Sequence, residues 1–247
     1  MSPLWLERRA LGIFPSRTWL YTGRQLVSPP TGAVAGVGLA DMLLAQRPAP
    51  RWWPPYLDIT LSDEIARMVL LPWQDTLRTA AQQMRYAEAC LEDVGATVAA
   101  GWAMQYSYRR HGKAGMAYAL PVAELERLRT LAAAHHLRLR SVLPVAAAAY
   151  WHYPLAQRRA ALLLLAEAGR YTLLRFEQGA LAAVDVQPAR AERDLALRRL
   201  MRRSQMQASA IERIGIWSFD GGAVCGDPLA ASYPDAVLQT LDHRSWE

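Results

Sequence analysis

The sequence predicts an α/β fold built twice over, with two lobes. Two observations carry that expectation. A meander of three short strands near the N-terminus, with its turn at "FPSR", is matched past residue 160 by a second meander of the same order, with its turn at "EAGR". Each meander is followed, sooner or later, by helix and strand. The expected division is residues 1–143, a first half with an inserted hairpin and helix, and residues 144–247, a reduced second half.

The elements follow in order. Residues 9–14, 17–22 and 24–28 ("RALGIF", "RTWLYT", "RQLVS") are apolar and aromatic runs separated by "PS" and "TG", the composition of strands and tight turns. The Gly-rich "TGAVAGVGLADMLLAQ" ends in a short helix. "RPAPRWWPP" holds four prolines in nine residues and breaks both ladder and helix. "YLDITLSDEIARMVLLPW" has two apolar stretches around "SDE", which predicts a hairpin. A helix is expected from Asp75 to about Asp93, with Asp75 as N-cap and Leu77, Ala81, Met84, Ala87 and Leu91 at helical spacing.

"GWAMQYSYRRHGKAGMAYALP" alternates around "RRHGK" and predicts a two-stranded ribbon. "VAELERLRTLAAAHHL" is an amphipathic helix, "RLRSVLP" a strand closed by Pro144, and "VAAAAYWHY" a short apolar helix. The second meander comes next, with turns at "EAG" and "EQG". After it a basic helix spans 190 to about 209, "ERIGIWSF" is a strand, "DGGAVCGDP" a loop, and residues 234–241 a last short helix.

Composition sets the outer bounds. With 247 residues, 52% of them hydrophobic, the chain can bury a large core. Cys90 and Cys225 lie far apart without zinc-site spacing, so neither a disulfide framework nor a structural metal is expected. No apolar run reaches the roughly 18 residues of a membrane span, and "MSPLWLERRALG" does not read as a signal peptide. The expected compartment is the cytoplasm. Net charge is +6, and Lys113 is the single lysine among many arginines. Codon bias explains that balance as well as attraction to acidic partners does.

Three segments carry a resemblance to a known family. "LPWQDTLRTAAQQMRYAEACLEDVGA", "LRTLAAAHHLRLRSVLPVAAAAYWHY" and "LLLLAEAGRYTLLRFEQGALAAVDV" resemble the cytoplasmic actin-like domain of the type II secretion L component and, more distantly, PilM-type pilus assembly proteins. The resemblance covers roughly residues 8–220. It implies a reduced actin-like fold of two RNase H-like halves and a scaffold role in an inner-membrane assembly platform, of type IV pilus or type II secretion. Its implied partners are the assembly ATPase and N-terminal segments of platform proteins.

The sequence departs from an active actin-like ATPase in its phosphate hairpins. Such enzymes position Mg²⁺ with carboxylates and let backbone N–H groups approach the phosphates at glycine. Here Phe14 stands about where the first acid is expected, and Pro15 has no N–H to offer. Phe14 is expected to pack, with Ser16 and Arg17 as plain turn residues. Glu167, Ala168 and Gly169 keep an acid and a glycine in the second hairpin, although Glu167 reads as an ordinary exposed turn residue. The expectation is a chain without catalytic residues, metal or cofactor. Were ATP to bind, Ser16, Arg17, Glu167, Gly169, Gly221 and Gly222 would be its contacts.

Remaining candidates concern partners. The ribbon at 102–121 offers Tyr106, Tyr108, Met116 and Tyr118 at an edge where a partner strand could add by main-chain hydrogen bonds. Arg198, Arg199, Arg202 and Arg203 form a positive stripe, with Leu195, Leu197, Leu200 and Met201 available for burial. That stripe reads as a solvated face, as a dock for an acidic partner or anionic lipid, or as a nucleic-acid site. No stacking platform or reading helix accompanies it, so no nucleic-acid partner is expected. His135 and His136 fit a helix C-terminus, His111 a turn, and His152 a partly buried place among aromatics. Cys225 reads as an inert loop thiol. The alternatives kept beside the scaffold are a weak or noncanonical actin-like ATPase or kinase and a basic nucleic-acid-binding protein.

Overall fold

The first meander consists of β1 (Arg8–Ile13), β2 (Thr18–Thr22) and β3 (Gln25–Val27), paired antiparallel. Gly12 faces Trp19 across it, and a Cβ on Gly12 would lie 2.0 Å from the indole, so the ring fills the space that glycine leaves. The chain continues through α1 (Val37–Ala45), β4 (Tyr56–Leu61), β5 (Arg67–Leu71), α2 (Ala80–Glu92), β6 (Trp102–Ser107), β7 (Gly115–Pro121), α3 (Val122–Ala134), β8 (Arg138–Pro144) and α4 (Val145–His152). Then come β9 (Ala161–Ala166), β10 (Arg170–Glu177), β11 (Ala180–Pro188), α5 (Arg193–Gln207), β12 (Arg213–Ser218), α6 (Asp227–Ser232) and β13 (Val237–Leu241). The computed structural model describes residues 8–23, 25–27, 29, 35–50, 52, 54–152, 160–189, 192–207, 210–219, 224 and 226–241.

Two five-stranded sheets share one topology. Their orders are β3-β2-β1-β4-β8 and β11-β10-β9-β12-β13. In each, an antiparallel meander is extended by two parallel strands, β4 and β8 in the first and β12 and β13 in the second. Parallel pairing requires a crossover, and the helices supply it: α1 and α3 in one sheet, α5 and α6 in the other. The duplication expected from the two meanders is therefore present strand by strand.

The chain forms two compact units, Met1–Ile65 with Leu120–Val145, and Ala66–Ala119 with Ala146–Glu247. The change of unit at 145/146 lies beside the expected boundary at 143/144. The expected halves differ from these units in segment 66–119, which is compact with the later residues although it falls within 1–143. In the first unit Leu11, Leu20, Leu43, Leu57, Ile59 and Leu61 are fully buried, each worth about 1.5–3 kcal/mol of transfer free energy. In the second, Leu162, Leu164, Leu173, Leu197, Leu200, Met201, Ile214 and Leu229 form the core between sheet and helices.

Three local expectations are corrected. The "SDE" segment does not close a hairpin: β4 pairs in parallel with β1 and β8, while β5 pairs antiparallel with β7 in a separate sheet, β5-β7-β6. The apolar runs on either side of a polar turn are alike in both arrangements, and long-range pairing alone separates them. The helix expected from Asp75 begins at Ala80, because Thr79 and Gln82 form a reciprocal capping box, whereas Asp75 accepts from the Trp73 indole N–H at 2.7 Å. The final helix expected at 234–241 is the edge strand β13, preceded by α6.

Candidate functional site

The two hairpins that head the sheets can be superposed by register. Ile13 pairs with Thr18 and Ala166 with Tyr171, so residues 14–17 and 167–170 are equivalent turns. The Phe14 N–H donates to the Arg17 carbonyl at 2.9 Å, and the Glu167 N–H to the Arg170 carbonyl at 3.0 Å. Beyond the fourth strand of each half, Ser62 N–H donates to the Ile13 carbonyl and Phe219 N–H to the Ala166 carbonyl. Phe14 and Glu167 thus hold the same place, and both are buried at 1% exposure. Phe14 packs as expected. The expectation that Glu167 is an exposed turn residue is corrected: its side chain is buried.

The crossover helix meets the hairpin in both halves. Thr18 Oγ1 accepts from the N–H of Gly36, the residue before α1, at 2.9 Å. At the equivalent place Tyr171 lies beneath the guanidinium of Arg193, 5.3 Å from its ring centroid. Arg193 Nη1 also donates to the carbonyls of Glu167 and Ala168 at 3.1 and 2.8 Å, so a cation is fixed across the second turn. Sequence reading missed Arg193, since nothing in a basic helix singles out an arginine that turns inward. It also missed Asp63, fully buried two residues beyond β4; its "SDE" context reads as a surface turn.

No protein-family model matches the chain, and a search of the curated proteins finds no match. Solved structures do match over nearly the whole chain. A Bacteroides thetaiotaomicron protein described as having an actin-like ATPase fold and unknown function aligns with TM-score 0.61 at 9% identity, covering 96% of this chain and 91% of that one. The PilM–PilN type IV pilus biogenesis complex aligns at 0.61 with 13% identity, over 96% of this chain and 88% of that one. The cytoplasmic domain of EpsL, an inner-membrane component of the Vibrio cholerae type II secretion system, aligns at 0.56 with 11% identity, over 98% and 88%.

The fold is actin-like.

Actin-like ATPases hold a magnesium nucleotide between carboxylate-bearing hairpins, and the residues of the first hairpin here do not fit that group. Phe14 supplies no ligand and its N–H is spent within the turn; Pro15 has no N–H. Ser16 is exposed and Arg17 half-buried in the same turn. In the second hairpin Glu167 and Gly169 remain, with the turn carbonyls already taken by Arg193 and the Gly169 carbonyl accepting from Ala189 N–H at 2.8 Å. Gly221, Gly222 and Cys225 lie outside the described residues. Among the described residues no group of three or more His, Cys, Asp and Glu side chains is placed to hold a metal ion.

The expected partner residues separate into two settings. β7 is the central strand of β5-β7-β6 and β6 is an edge. Tyr106 on β6 and Tyr108 just past it pack with α2, against Leu71, Ala87, Leu91 and Ala117. Their rings lie 5.9 Å apart, and Trp73 sits between Tyr108 and His111 at 5.1 and 4.6 Å. Burial pushes the Tyr108 hydroxyl up to about 12, with Tyr86, Cys90, Tyr106 and Tyr150 adding to it. Met116 and Tyr118, at 1% and 6% exposure on β7, belong to the opposite face of that sheet by strand alternation. Burial likewise pushes Tyr118 up to about 12, and its hydroxyl donates to Gln105 Oε1. Met116 and Tyr118 are therefore buried and Tyr106 and Tyr108 half-buried, and the part of this sheet open to strand addition on that side is the β6 backbone.

The arginine stripe does reach solvent. Arg198, Arg199, Arg202 and Arg203 are all exposed on α5, while Ala196, Leu197, Leu200, Met201 and Ser204 are buried beneath them. Leu195, expected to be buried, is 39% exposed because it falls outside that inner arc. His152, expected to be partly buried, is exposed at the end of α4. His135 caps α3 with its ring Nε2 2.7 Å from Asp41 Oδ1. Among the described residues no helix is long and apolar enough to cross a membrane.

Proposed function

We propose that this protein is a noncatalytic scaffold on the cytoplasmic side of an inner-membrane assembly platform, of the type IV pilus or type II secretion kind. It links an assembly ATPase to N-terminal segments of platform proteins. The observation that carries the proposal is Phe14: a buried aromatic ring stands where the first hairpin of an actin-like ATPase needs a carboxylate, next to a proline without a donor. The likeness to the EpsL cytoplasmic domain and to PilM–PilN supplies the class of machine. The β6 edge supplies a backbone to which an extended segment can add.

Two measurements on the purified protein test it. Titration with ATP and Mg²⁺ gives no heat of binding, and a platform protein's N-terminal segment co-purifies in a β6-dependent way. Gln105→Pro, at an exposed position of the edge strand, lowers that capture, and because it also takes the Gln105 Oε1 acceptor from Tyr118, a circular dichroism melt accompanies it. Tight magnesium-dependent ATP binding would replace the scaffold with the ATPase or kinase reading, in which Glu167 and Gly169 serve the phosphates.

A further inference from the structure

α1 and α5 are equivalent crossovers, each leaving the third strand of a meander and returning into the strand parallel to its first. α1 contains no basic residue, and its one acid, Asp41, meets His135. α5 adds Arg198, Arg199, Arg202 and Arg203 on its outer surface, and Asp194 is its only acid. What the fold asks of this helix is the buried stripe from Ala196 to Ser204; the same topology is made in the other half without any outward basic charge. Four like charges within two turns also repel one another along the helix. The fold itself therefore does not demand the stripe.

Its outer face is not purely basic. Leu195 is 39% and Met206 85% exposed, and positions 195, 198, 199, 202 and 206 recur at three- and four-residue steps, one line about 17 Å long at 1.5 Å per residue. Arg203 donates to the Val186 carbonyl on edge strand β11 at 3.3 Å, and Val186 is itself 36% exposed. Arginines bracketed by protruding apolar side chains form a surface that is electrostatically attractive and partly greasy.

We infer that this face of α5 docks onto an anionic phospholipid surface. Guanidinium forks match phosphate oxygens bidentately, and Leu195 and Met206 at the two ends reach past the headgroups to the acyl boundary. A second copy of the same face is repelled by its own charge. Nucleic acid would use the arginines and leave the leucine and methionine without a role, and α5 carries no aromatic ring on which a base could stack. The inference stands on α5 and does not rest on the scaffold reading: an ATPase with this helix would dock in the same way.

Flotation of the full chain with vesicles of phosphatidylglycerol mixed into phosphatidylcholine, and with phosphatidylcholine alone, tests it. The unaltered protein floats with the mixed vesicles at low salt and is released by high salt. Arg198→Gln with Arg202→Gln weakens that partition roughly tenfold or more, since each basic residue at such a surface is worth about fivefold. Arg78→Gln with Arg85→Gln removes the same charge from exposed positions elsewhere and leaves partition within about twofold. Leu195→Ser with Met206→Ser lowers retention with the charges kept. Equal loss in the two arginine pairs, or equal flotation with both vesicle types, overturns the proposal. So does binding of duplex DNA or polyglutamate that is tighter than vesicle binding and depends on the same arginines. Circular dichroism melts accompany every variant; should the α5 pair fail to fold, the lipid and salt dependence of the unaltered chain decides.

Discussion

Phe14 and Glu167 occupy one position of a repeated turn, each giving its N–H to the carbonyl three residues on and each withdrawn from water. The backbone of the duplicated hairpin is thus preserved while the chemistry at its first residue differs completely. A turn closed by its own hydrogen bond and by strand register persists whatever side chain it carries, so the hairpin is retained as a structural part of the sheet.

Restoring an acid at Phe14 is accordingly costly and does not by itself create a nucleotide site. Phe14→Asp removes a buried ring and places a carboxylate among apolar groups. Urea denaturation is expected to show a loss of about 3 kcal/mol or more. Calorimetry with ATP and Mg²⁺ should show no gained heat, because Pro15 still lacks its donor. Recovery of magnesium-dependent binding would contradict the assignment of Phe14 as packing.

Asp58 gives the first unit a pH-dependent contribution. A bulge in the β4–β8 register brings two successive residues of β8 onto one carboxylate: Leu57 pairs with Leu139 and Asp58 with Ser141, leaving Arg140 between. Arg140 donates to both oxygens at 2.8 and 2.6 Å, Ser141 Oγ donates at 2.6 Å and Arg8 Nε at 2.8 Å. Burial alone would raise the Asp58 pKa, but these hydrogen bonds outweigh it and hold the carboxyl below its ordinary value. The contribution is therefore present above the unfolded value of roughly 4 and is lost as pH falls through the lower folded value. Asp58→Asn is expected to lower the urea midpoint at pH 7, and the gap to the unaltered protein should narrow as pH drops below about 4. A gap that is constant with pH would show that the charge of Asp58 contributes nothing.

The start of α2 separates two capping candidates. Thr79 accepts from Gln82 N–H at 3.2 Å, and Gln82 Oε1 accepts from Thr79 N–H at 3.1 Å. Thr79→Ala is expected to cost about 1 kcal/mol in urea denaturation, and Asp75→Ala markedly less. Equal losses would return the N-cap to Asp75.

Strand pattern and turn chemistry made the two meanders, the ribbon, α3 and the basic helix legible, because these depend on contacts close in sequence, and β8 was legible as an apolar run closed by Pro144 although its partner β4 is distant. Phe14 and Pro15 were legible for the same reason: a missing carboxylate and a missing N–H are facts of residue identity. The "SDE" hairpin was not, since two strands flanking a short polar turn fit one hairpin or two separate sheets equally well, and the partners that decide, β1 and β8 for one and β7 for the other, are distant in sequence. Glu167 and Asp63 look like surface acids in their local contexts; burial is a property of what the chain packs around them.

By itself the sequence determined that the fold is duplicated and that the first hairpin lacks an acid. Tertiary structure decided which side chains face outward. It withdrew Glu167, Met116 and Tyr118 from the surface, turned Arg193 across the second turn, and left Arg198, Arg199, Arg202 and Arg203 in water. The physical reason is that periodicity fixes which residues share a face of an element, whereas only packing against residues far along the chain fixes which face is covered.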